Sequence, residues 1–209
     1  MPRGLPERLP ADERMLWQGA PDWRVLARQA FHVRKLVAYF GLIVTWVAAS
    51  GVADGMSPAA VALNALQAAA LGTVPVLLVV LYAAIVARTS VYTITDRRLV
   101  MRIGIALPVT INLPFNRIET AEVKGHKDGS GDISLALGKG DRLAYPVLWP
   151  HARPWRLNRT EPTLRSLRDV QPVAHLLARS LAASADMAAP VLHGEAVSAA
   201  PVPHSTMPA

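Results

Sequence analysis

The sequence contains no cysteine, and this absence excludes several kinds of chemistry. Disulfide bonds, thiolate metal sites and cysteine nucleophiles cannot form. Histidine is scarce as well: six are spread over 209 residues, and no two have the three- or four-residue spacing that places zinc ligands on one helical face. A glycine-rich phosphate loop followed by Lys and Ser or Thr is also missing. The sequence therefore predicts no metal site, no cofactor and no enzymatic activity.

Charged residues are missing from two long apolar stretches. Residues 36–53 and 59–87 contain no Asp, Glu, Lys or Arg, and only residues 54–58 separate them. A helix of about 20 residues is long enough to cross the hydrocarbon core of a bilayer. The two stretches therefore predict a transmembrane hairpin over residues 36–87, with spans at about 36–53 and 62–87.

Lysine and arginine are absent from the turn between the two stretches. Residues 1–35 contain seven of these residues and residues 88–183 contain the other fifteen. Loops rich in Lys and Arg stay on the cytoplasmic side, so we expect a multi-pass protein of the bacterial inner membrane with both termini in the cytoplasm. The net charge of +7 favours anionic lipid headgroups or an acidic protein partner. Nucleic acid is disfavoured because the hairpin holds the basic segments at the membrane.

The remaining chain divides into a segment before the hairpin and a strand-rich region after it. We expect residues 1–35 to form a cytoplasmic segment and residues 88–183 a cytoplasmic domain. Apolar residues recur at helical spacing from Val170, which predicts a C-terminal helix. Residues 184–209 are rich in Ala, Pro and Ser, which predicts a disordered tail. Strand-like segments bounded by turn residues occur at 90–95, 97–103, 108–113, 117–124, 132–137 and 142–149.

Two motifs resemble those of the bacterial membrane-anchored pleckstrin-homology-like domains. The first, Y-x-I-T-x-x-R, is formed by Tyr92, Ile94, Thr95 and Arg98. The second, E-x-x-x-W-x-G-x-P, is formed by Glu13, Trp17, Gly19 and Pro21. The resemblance implies an α+β membrane protein in which a two-helix transmembrane hairpin is followed by a pleckstrin-homology-like antiparallel β-sandwich or barrel, closed by the C-terminal helix. It implies an architecture and no activity.

Four further segments resemble the photosynthetic-complex assembly proteins of purple bacteria. They are residues 13–40, 112–115, 126–133 and 147–155. This resemblance implies a non-enzymatic factor that assists assembly of the reaction centre with its light-harvesting 1 antenna. The implied partners are subunits of these complexes, including the reaction-centre H subunit as one candidate, and a homodimer is left open. The alternative is a membrane-anchored lipid-binding or scaffolding module without a photosynthetic role.

Arginine and tryptophan are concentrated in residues 142–168, which form the candidate contact surface. Both residue types are enriched at interface hot spots, and clusters of Arg also bind lipid phosphates. The candidate partner or lipid contacts are Arg142, Trp149, Arg153, Trp155, Arg156 and Arg159. A solvated basic face beside an anionic membrane explains the same composition, so both interpretations stay open.

Residues just before the first apolar stretch are candidates for anchoring at the membrane interface. Trp side chains are enriched at the headgroup level, and the ends of Lys and Arg side chains can reach it from within the helix. The candidates are Trp17, Trp23, Arg34 and Lys35. Asp22 is the predicted N-cap of a helix that continues into the first span.

Overall fold

A computed structural model describes Gly4 and residues 9–138, 144–153 and 160–188, with the side chains of the last range described to residue 185. In chain order the elements are β1 (Met15–Gly19), α1 (Trp23–Val25), a π-helical stretch (Leu26–Ala30), α2 (Val33–Ala53), α3 (Pro58–Thr89), β2 (Val91–Thr95), β3 (Arg98–Ile103), β4 (Val109–Pro114), a 3-10 turn (Phe115–Arg117), β5 (Ile118–Gly125), β6 (Gly131–Leu137), α4 (Tyr145–Leu148), β7 (Thr163–Leu167) and α5 (Val170–Ala188).

The two apolar stretches form the long helices α2 and α3, which pack against each other as a hairpin. Ser57 caps α3 by accepting a hydrogen bond from the Ala60 backbone amide, and Pro58 occupies the first turn, where its missing N–H is not needed. The helices approach closely at Gly72, because a Cβ atom there would lie 2.9 Å from Cδ1 of Phe40. Small residues at such a point allow two apolar helices to pack without a gap.

Both long helices leave most of their apolar side chains uncovered. Leu42, Trp46 and Leu71 are 70%, 73% and 74% exposed. In the most apolar 18-residue stretch of each helix, only 6% is buried in α2 and 17% in α3. Both helices are long and apolar enough to cross a membrane. A core helix of a soluble domain would bury far more of this surface.

Two antiparallel sheets form the rest of the fold. One has the strand order β1-β2-β3-β4 and the other the order β5-β6-β7. Side chains from both sheets and from α5 share one hydrophobic core, with Tyr92, Met101, Leu135 and Leu177 among its fully buried members. The antiparallel sheets and the C-terminal helix α5 agree with the architecture expected from the sequence. Within the described part of the chain the sheets stay separate, so a closed barrel is not observed.

The region from residue 142 to residue 167 differs from the expectation. A strand was predicted over residues 142–149, and this is wrong for the part that is described, because Tyr145–Leu148 forms the short helix α4. Pro146 is accommodated in the first turn of this helix, and Leu148 is fully buried in the core. The third strand of the second sheet is instead Thr163–Leu167, which the sequence pattern did not indicate.

The segment before the hairpin takes part in the same fold. β1 pairs with β2, with Gln18 opposite Thr93, so the first sheet combines residues from both sides of the hairpin. The predicted N-cap is confirmed, since the Asp22 carboxylate accepts a hydrogen bond from the Arg24 backbone amide at 2.8 Å. The predicted continuous helix is wrong: His32 adopts a left-handed conformation (φ 53°), and α2 begins after it.

Candidate functional site at the junction of the helices and the sheets

Two of the six residues of the predicted contact surface, Trp149 and Arg153, lie in the described part of the chain. The other four lie outside the described residues, and they are Arg142, Trp155, Arg156 and Arg159. Trp149 and Arg153 lie on either side of the buried His151, and the peptide bond between Trp149 and Pro150 is cis. The contacts of these three side chains define the candidate site.

Arg153 lies in the loop after α4 and is ion-paired with two carboxylates. Its guanidinium donates hydrogen bonds to the Glu122 carboxylate at 2.5 and 3.1 Å and to Glu161 Oε2 at 2.9 Å. The backbone amide of Arg153 also donates to the Glu161 carbonyl oxygen at 3.0 Å. The hydrogen bonds to Glu122 and Glu161 raise the pKa of Arg153 above its ordinary value. Its charge is therefore already compensated, and the predicted contact with a lipid or partner must compete with two carboxylates.

Trp149 packs against the C-terminal part of α3. Its ring stacks on that of Tyr82, with the centroids 5.7 Å apart and an angle of 28° between the planes. The Phe31 ring approaches the Trp149 and Tyr82 rings edge-on, at 6.2 and 5.4 Å. Trp149 remains 50% exposed. This aromatic cluster joins α3, the end of the π-helical stretch and the residue that follows α4.

His151 is fully buried and connects three segments of the chain. Its Nε2 lies 2.9 Å from Ser90 Oγ, and its Nδ1 lies 2.7 Å from the Tyr92 hydroxyl. The Tyr92 hydroxyl also accepts a hydrogen bond from the Arg165 backbone amide at 3.2 Å. The three contacts are compatible with one tautomer, in which Tyr92 donates to Nδ1 and the Nε2–H donates to Ser90 Oγ. Burial is the main cause that lowers the pKa of His151 to about 3, so the ring is neutral.

Ser90 and His151 are the residue types of a catalytic nucleophile and its base, but both side chains are too deeply buried for catalysis. A serine is activated when a histidine accepts its proton while substrate reaches its oxygen. Ser90 is 1% exposed and His151 is 0% exposed, so substrate cannot reach either side chain. Within the described ranges there is also no group of three or more His, Asp or Glu residues arranged to hold a metal ion. The arrangement therefore joins structural elements and has no evident catalytic use.

β7 completes this junction. Arg165 donates from Nη1 to the Pro150 carbonyl oxygen at 3.0 Å, which holds the loop that carries Trp149 and His151. The Ser166 backbone amide donates to Asp132 Oδ1 at 2.7 Å, and the Ser166 carbonyl oxygen accepts from the Asp22 amide at 2.8 Å. Strand β7 thus links the α4 loop, strand β6 and the start of α1. These contacts connect the sheets to the segment that leads into α2.

The residues of the two sequence motifs meet in space. Arg98 donates from Nε and Nη2 to the two carboxylate oxygens of Glu13 at 2.7 and 2.6 Å. This hydrogen bonding to Arg98 is the main cause that lowers the pKa of Glu13 below its ordinary value. The Thr95 hydroxyl accepts from the backbone amides of Arg97 and Arg98 and shapes the turn between β2 and β3. Both motifs are visible in the sequence, but no local pattern indicates their contact.

The predicted interface residues occupy different environments. Trp17 is half-buried against the core of the sheets, and a Cβ atom at Gly19 would lie 2.4 Å from its ring. Trp23 is 41% exposed and has the Arg24 guanidinium 5.3 Å from its ring centroid. Together with Pro21, Arg88 and apolar residues of α3, Trp23 lines a groove of 790 Å³. The remaining two candidates, Arg34 and Lys35, are exposed in the first turn of α2.

Comparison with known proteins agrees with this architecture. Residues 37–181 match the family described as "Bacterial PH domain". A protein of Rhodobacter capsulatus is 37% identical over 183 residues, which cover 85% of this chain and 83% of that protein. The relative is described as an uncharacterized 23.7 kDa protein in the puhA 5′ region. No solved structure matches the chain significantly.

Proposed function

The chain belongs to the bacterial PH domain family, and from this premise we propose that it is a membrane-anchored, non-enzymatic assembly factor. The complex assembled is the photosynthetic reaction centre with its light-harvesting 1 antenna, as in the PuhB assembly proteins that the sequence resembles. The observation that carries this proposal is the Rhodobacter capsulatus relative, whose description places it beside the photosynthesis gene puhA. Its similarity extends over most of both chains, so it includes the helices as well as the sheets.

The exposed apolar surface of α2 and α3 supports the membrane part of the proposal. An uninterrupted apolar surface of this size on a monomer requires a bilayer or a partner. The segments on either side of the hairpin pair with each other as β1 and β2, so they lie on the same side of any membrane that the helices cross. This geometry agrees with the positive charges of both segments, which favour the cytoplasmic side of an inner membrane.

The junction supports a role in holding other subunits in position. Stacking of Trp149 on Tyr82 and the hydrogen bond of His151 to Ser90 join the sheets directly to the end of α3. A partner helix that packs on α2 or α3 through their small residues would therefore lie at a fixed orientation to the sheets. The sheets would then contact the cytoplasmic faces of reaction-centre or antenna subunits while these assemble.

A second candidate is a lipid-binding or scaffolding module without a photosynthetic role. The observation that favours it is the group of exposed basic side chains around the start of α2, formed by Arg28, Arg34 and Lys35. Such residues next to a membrane span attract anionic headgroups. Both candidates are anchored in the membrane, and they differ in the partners that they bind.

Affinity purification distinguishes the two candidates. The tagged full chain is cross-linked in photosynthetic membranes, purified in detergent, and analysed by absorption spectroscopy and subunit identification. The assembly role predicts enrichment of reaction-centre or light-harvesting 1 subunits over a control preparation with the same tag on an unrelated two-helix membrane protein. Recovery of lipids alone, with core-complex subunits at the control level, would contradict the assembly role and favour the second candidate.

A further inference from the structure

A polar cavity lies between the segment that enters α2 and the turn that connects β5 and β6. Its volume is 530 Å³. One wall is formed by Arg28 and Gln29 of the π-helical stretch and by Arg34 of α2, and the other by the turn residues 125–128. The cavity is separate from the junction described above, and none of its basic residues belongs to the predicted contact surface of residues 142–168.

The cavity carries an excess of positive charge. Arg28, Arg34 and Lys127 contribute three cations, whereas Asp128 is the single carboxylate in the lining. The Asp128 carboxylate accepts hydrogen bonds at Oδ1 from the backbone amide and the hydroxyl of Ser130 at 3.2 and 2.5 Å, and its charge offsets part of that of Arg28. Within the described residues neither Arg34 nor Lys127 forms an ion pair. Three convergent cations favour an anion that carries more than one negative charge.

An unpartnered nitrogen lies on the same wall. His126 lines the cavity, and its Nε2 is buried without a hydrogen-bond partner in the described part of the chain. Buried polar atoms are almost always satisfied, so such an atom calls for a partner that the protein itself does not provide. Nε2 has no contact with solvent in this conformation, so a bound anion reaches it only when the ring turns toward the cavity with the proton on Nε2. In that arrangement an oxygen of the anion accepts the hydrogen bond that Nε2 lacks, which agrees with the charge of the lining.

The two walls are held in place by hydrogen bonds of the backbone. In the β5–β6 turn, the His126 amide donates to the Ser130 carbonyl oxygen at 2.7 Å, and the Val170 amide at the start of α5 donates to the Gly129 carbonyl oxygen at 3.2 Å. On the opposite wall, the Lys35 amide donates to the His32 carbonyl oxygen at 2.8 Å. The basic side chains thus start from backbone positions that are fixed before a ligand binds, which lowers the entropic cost of binding.

We propose that this cavity binds a phosphate group through Arg28, Arg34, His126 and Lys127. Phosphate offers several acceptor oxygens and up to two negative charges, which suit two guanidinium groups, an ammonium group and an imidazole N–H. Arg34 lies in the first turn of α2, at the end of an apolar helix, where the headgroup of a phospholipid would lie if that helix crosses a bilayer. The phosphate can belong to such a headgroup or to a soluble molecule. The proposal is independent of any photosynthetic role, and its lipid form specifies the headgroup contact of the second candidate function.

The test uses the full chain and two probes. Inorganic phosphate is titrated into the protein in detergent micelles, and the protein is separately placed in phosphatidylcholine nanodiscs with and without phosphatidic acid. The ring resonances of His126 and the amide resonances of residues 125–128 report binding by NMR. We expect them to shift with at least one probe. A shift with phosphate alone indicates a soluble ligand, and a shift with phosphatidic acid alone indicates a lipid headgroup. A shift with both indicates that the cavity recognises the phosphate group in either molecule.

Two double variants separate a defined cavity from general electrostatic attraction. Arg34→Gln with Lys127→Gln removes two cations from the lining, and Lys124→Gln with Arg179→Gln removes two exposed cations that do not line it. We expect affinity for the effective probe to fall about tenfold or more in the first variant and less than about twofold in the second. Circular dichroism verifies that both are folded. Equal losses in the two variants, or no shift at His126 with either probe, would overturn the proposal.

Discussion

Glu13 and Arg98 are 85 positions apart in the sequence and form an ion pair with two hydrogen bonds, at 2.7 and 2.6 Å. Glu13 lies just before β1, and Arg98 is the first residue of β3. Because α2 and α3 lie between these positions in the chain, the pair joins the segments on either side of the helical hairpin. It gives one physical reason for the occurrence of both sequence motifs in the same protein.

Replacement of Glu13 by Gln tests this role. The side chain of Glu13 is only 3% exposed, and the change leaves the Arg98 guanidinium without its anionic partner. We expect the free energy of unfolding to fall by about 2–3 kcal/mol, because loss of a charged hydrogen-bonded partner in a mostly buried pair costs this much. Chemical denaturation of the full chain in detergent micelles, followed by circular dichroism, measures the change.

Asp12→Asn is the matched control for this variant. The Asp12–Arg97 pair has a similar distance of 2.7 Å, but its side chains are 62% and 58% exposed. Exposed pairs of this kind contribute about 0–1 kcal/mol. A loss of stability in Asp12→Asn as large as that in Glu13→Gln would show that burial of the Glu13–Arg98 pair is not the reason for its effect.

Tyr92→Phe tests the buried contacts at the junction. The change removes the hydroxyl that accepts from the Arg165 amide and bonds to His151 Nδ1. Both groups then lose a buried partner, so we expect the free energy of unfolding to fall by about 1–3 kcal/mol. Tyr145→Phe is the control, since its hydroxyl makes no hydrogen bond within the described residues, and it should change stability by less than about 0.5 kcal/mol. Equal effects of the two substitutions would argue against the network.

His151 predicts a specific pH dependence of stability. Its folded pKa of about 3 lies below the ordinary value of 6.5, so between these values the unfolded chain binds the additional proton. Stability is therefore full above about pH 6.5 and falls as the pH decreases. From pH 7 to pH 5 the loss is about 2 kcal/mol for this group. Glu13 contributes little to the change in this window, because its pairing with Arg98 lowers its folded pKa below the ordinary value of 4.5.

Denaturation curves at pH 7 and pH 5 measure this effect. His151→Gln should be less stable than the unmodified chain at pH 7, and its stability should change less between the two pH values. His175→Gln, at an exposed position of α5, should keep the pH dependence of the unmodified chain. An unchanged pH dependence in His151→Gln would contradict the assignment of a buried neutral imidazole.

Gly72→Val tests the packing of the two long helices. A Cβ atom at Gly72 would lie 2.9 Å from the Phe40 ring, so valine must push α2 and α3 apart. We expect a loss of about 1–3 kcal/mol, the usual cost of overpacking. Gly41→Val is the control, because nothing lies within 4 Å of a Cβ atom at that position of α2. Thermal unfolding of the full chain in detergent measures both variants, and equal stability of the two would contradict the packing contact.

Sequence patterns predicted the elements whose side chains alternate or recur locally. Strands β2 to β6 lie within one residue of the predicted segments at each end, and α5 begins at Val170 as expected. The β1 strand was missed because its pairing partner, β2, lies beyond the whole hairpin. The four-residue helix α4 is too short to show a helical period, and Pro146 is compatible with either a turn or a first helical turn.

The candidate site was less predictable than the strands. The concentration of Arg and Trp in residues 142–168 was visible, but the sequence does not reveal which carboxylates neutralise them. Arg153 is opposite Glu122 only because β5 and β6 pair in a particular register and the loop after α4 returns beside them. The cavity formed by Arg28, Arg34 and Lys127 combines residues that are about a hundred positions apart, and no local motif marks it.

The most direct test of the proposed assembly role is the amount of assembled core complex in a strain that lacks the gene. Membranes of the deletion strain, and of the strain complemented with the intact gene, are compared by near-infrared absorption and by quantification of reaction-centre and light-harvesting 1 subunits. We predict that the deletion lowers the assembled core complex while bacteriochlorophyll synthesis continues, and that complementation restores it. Core-complex levels in the deletion strain equal to those of the complemented strain would contradict the assembly role.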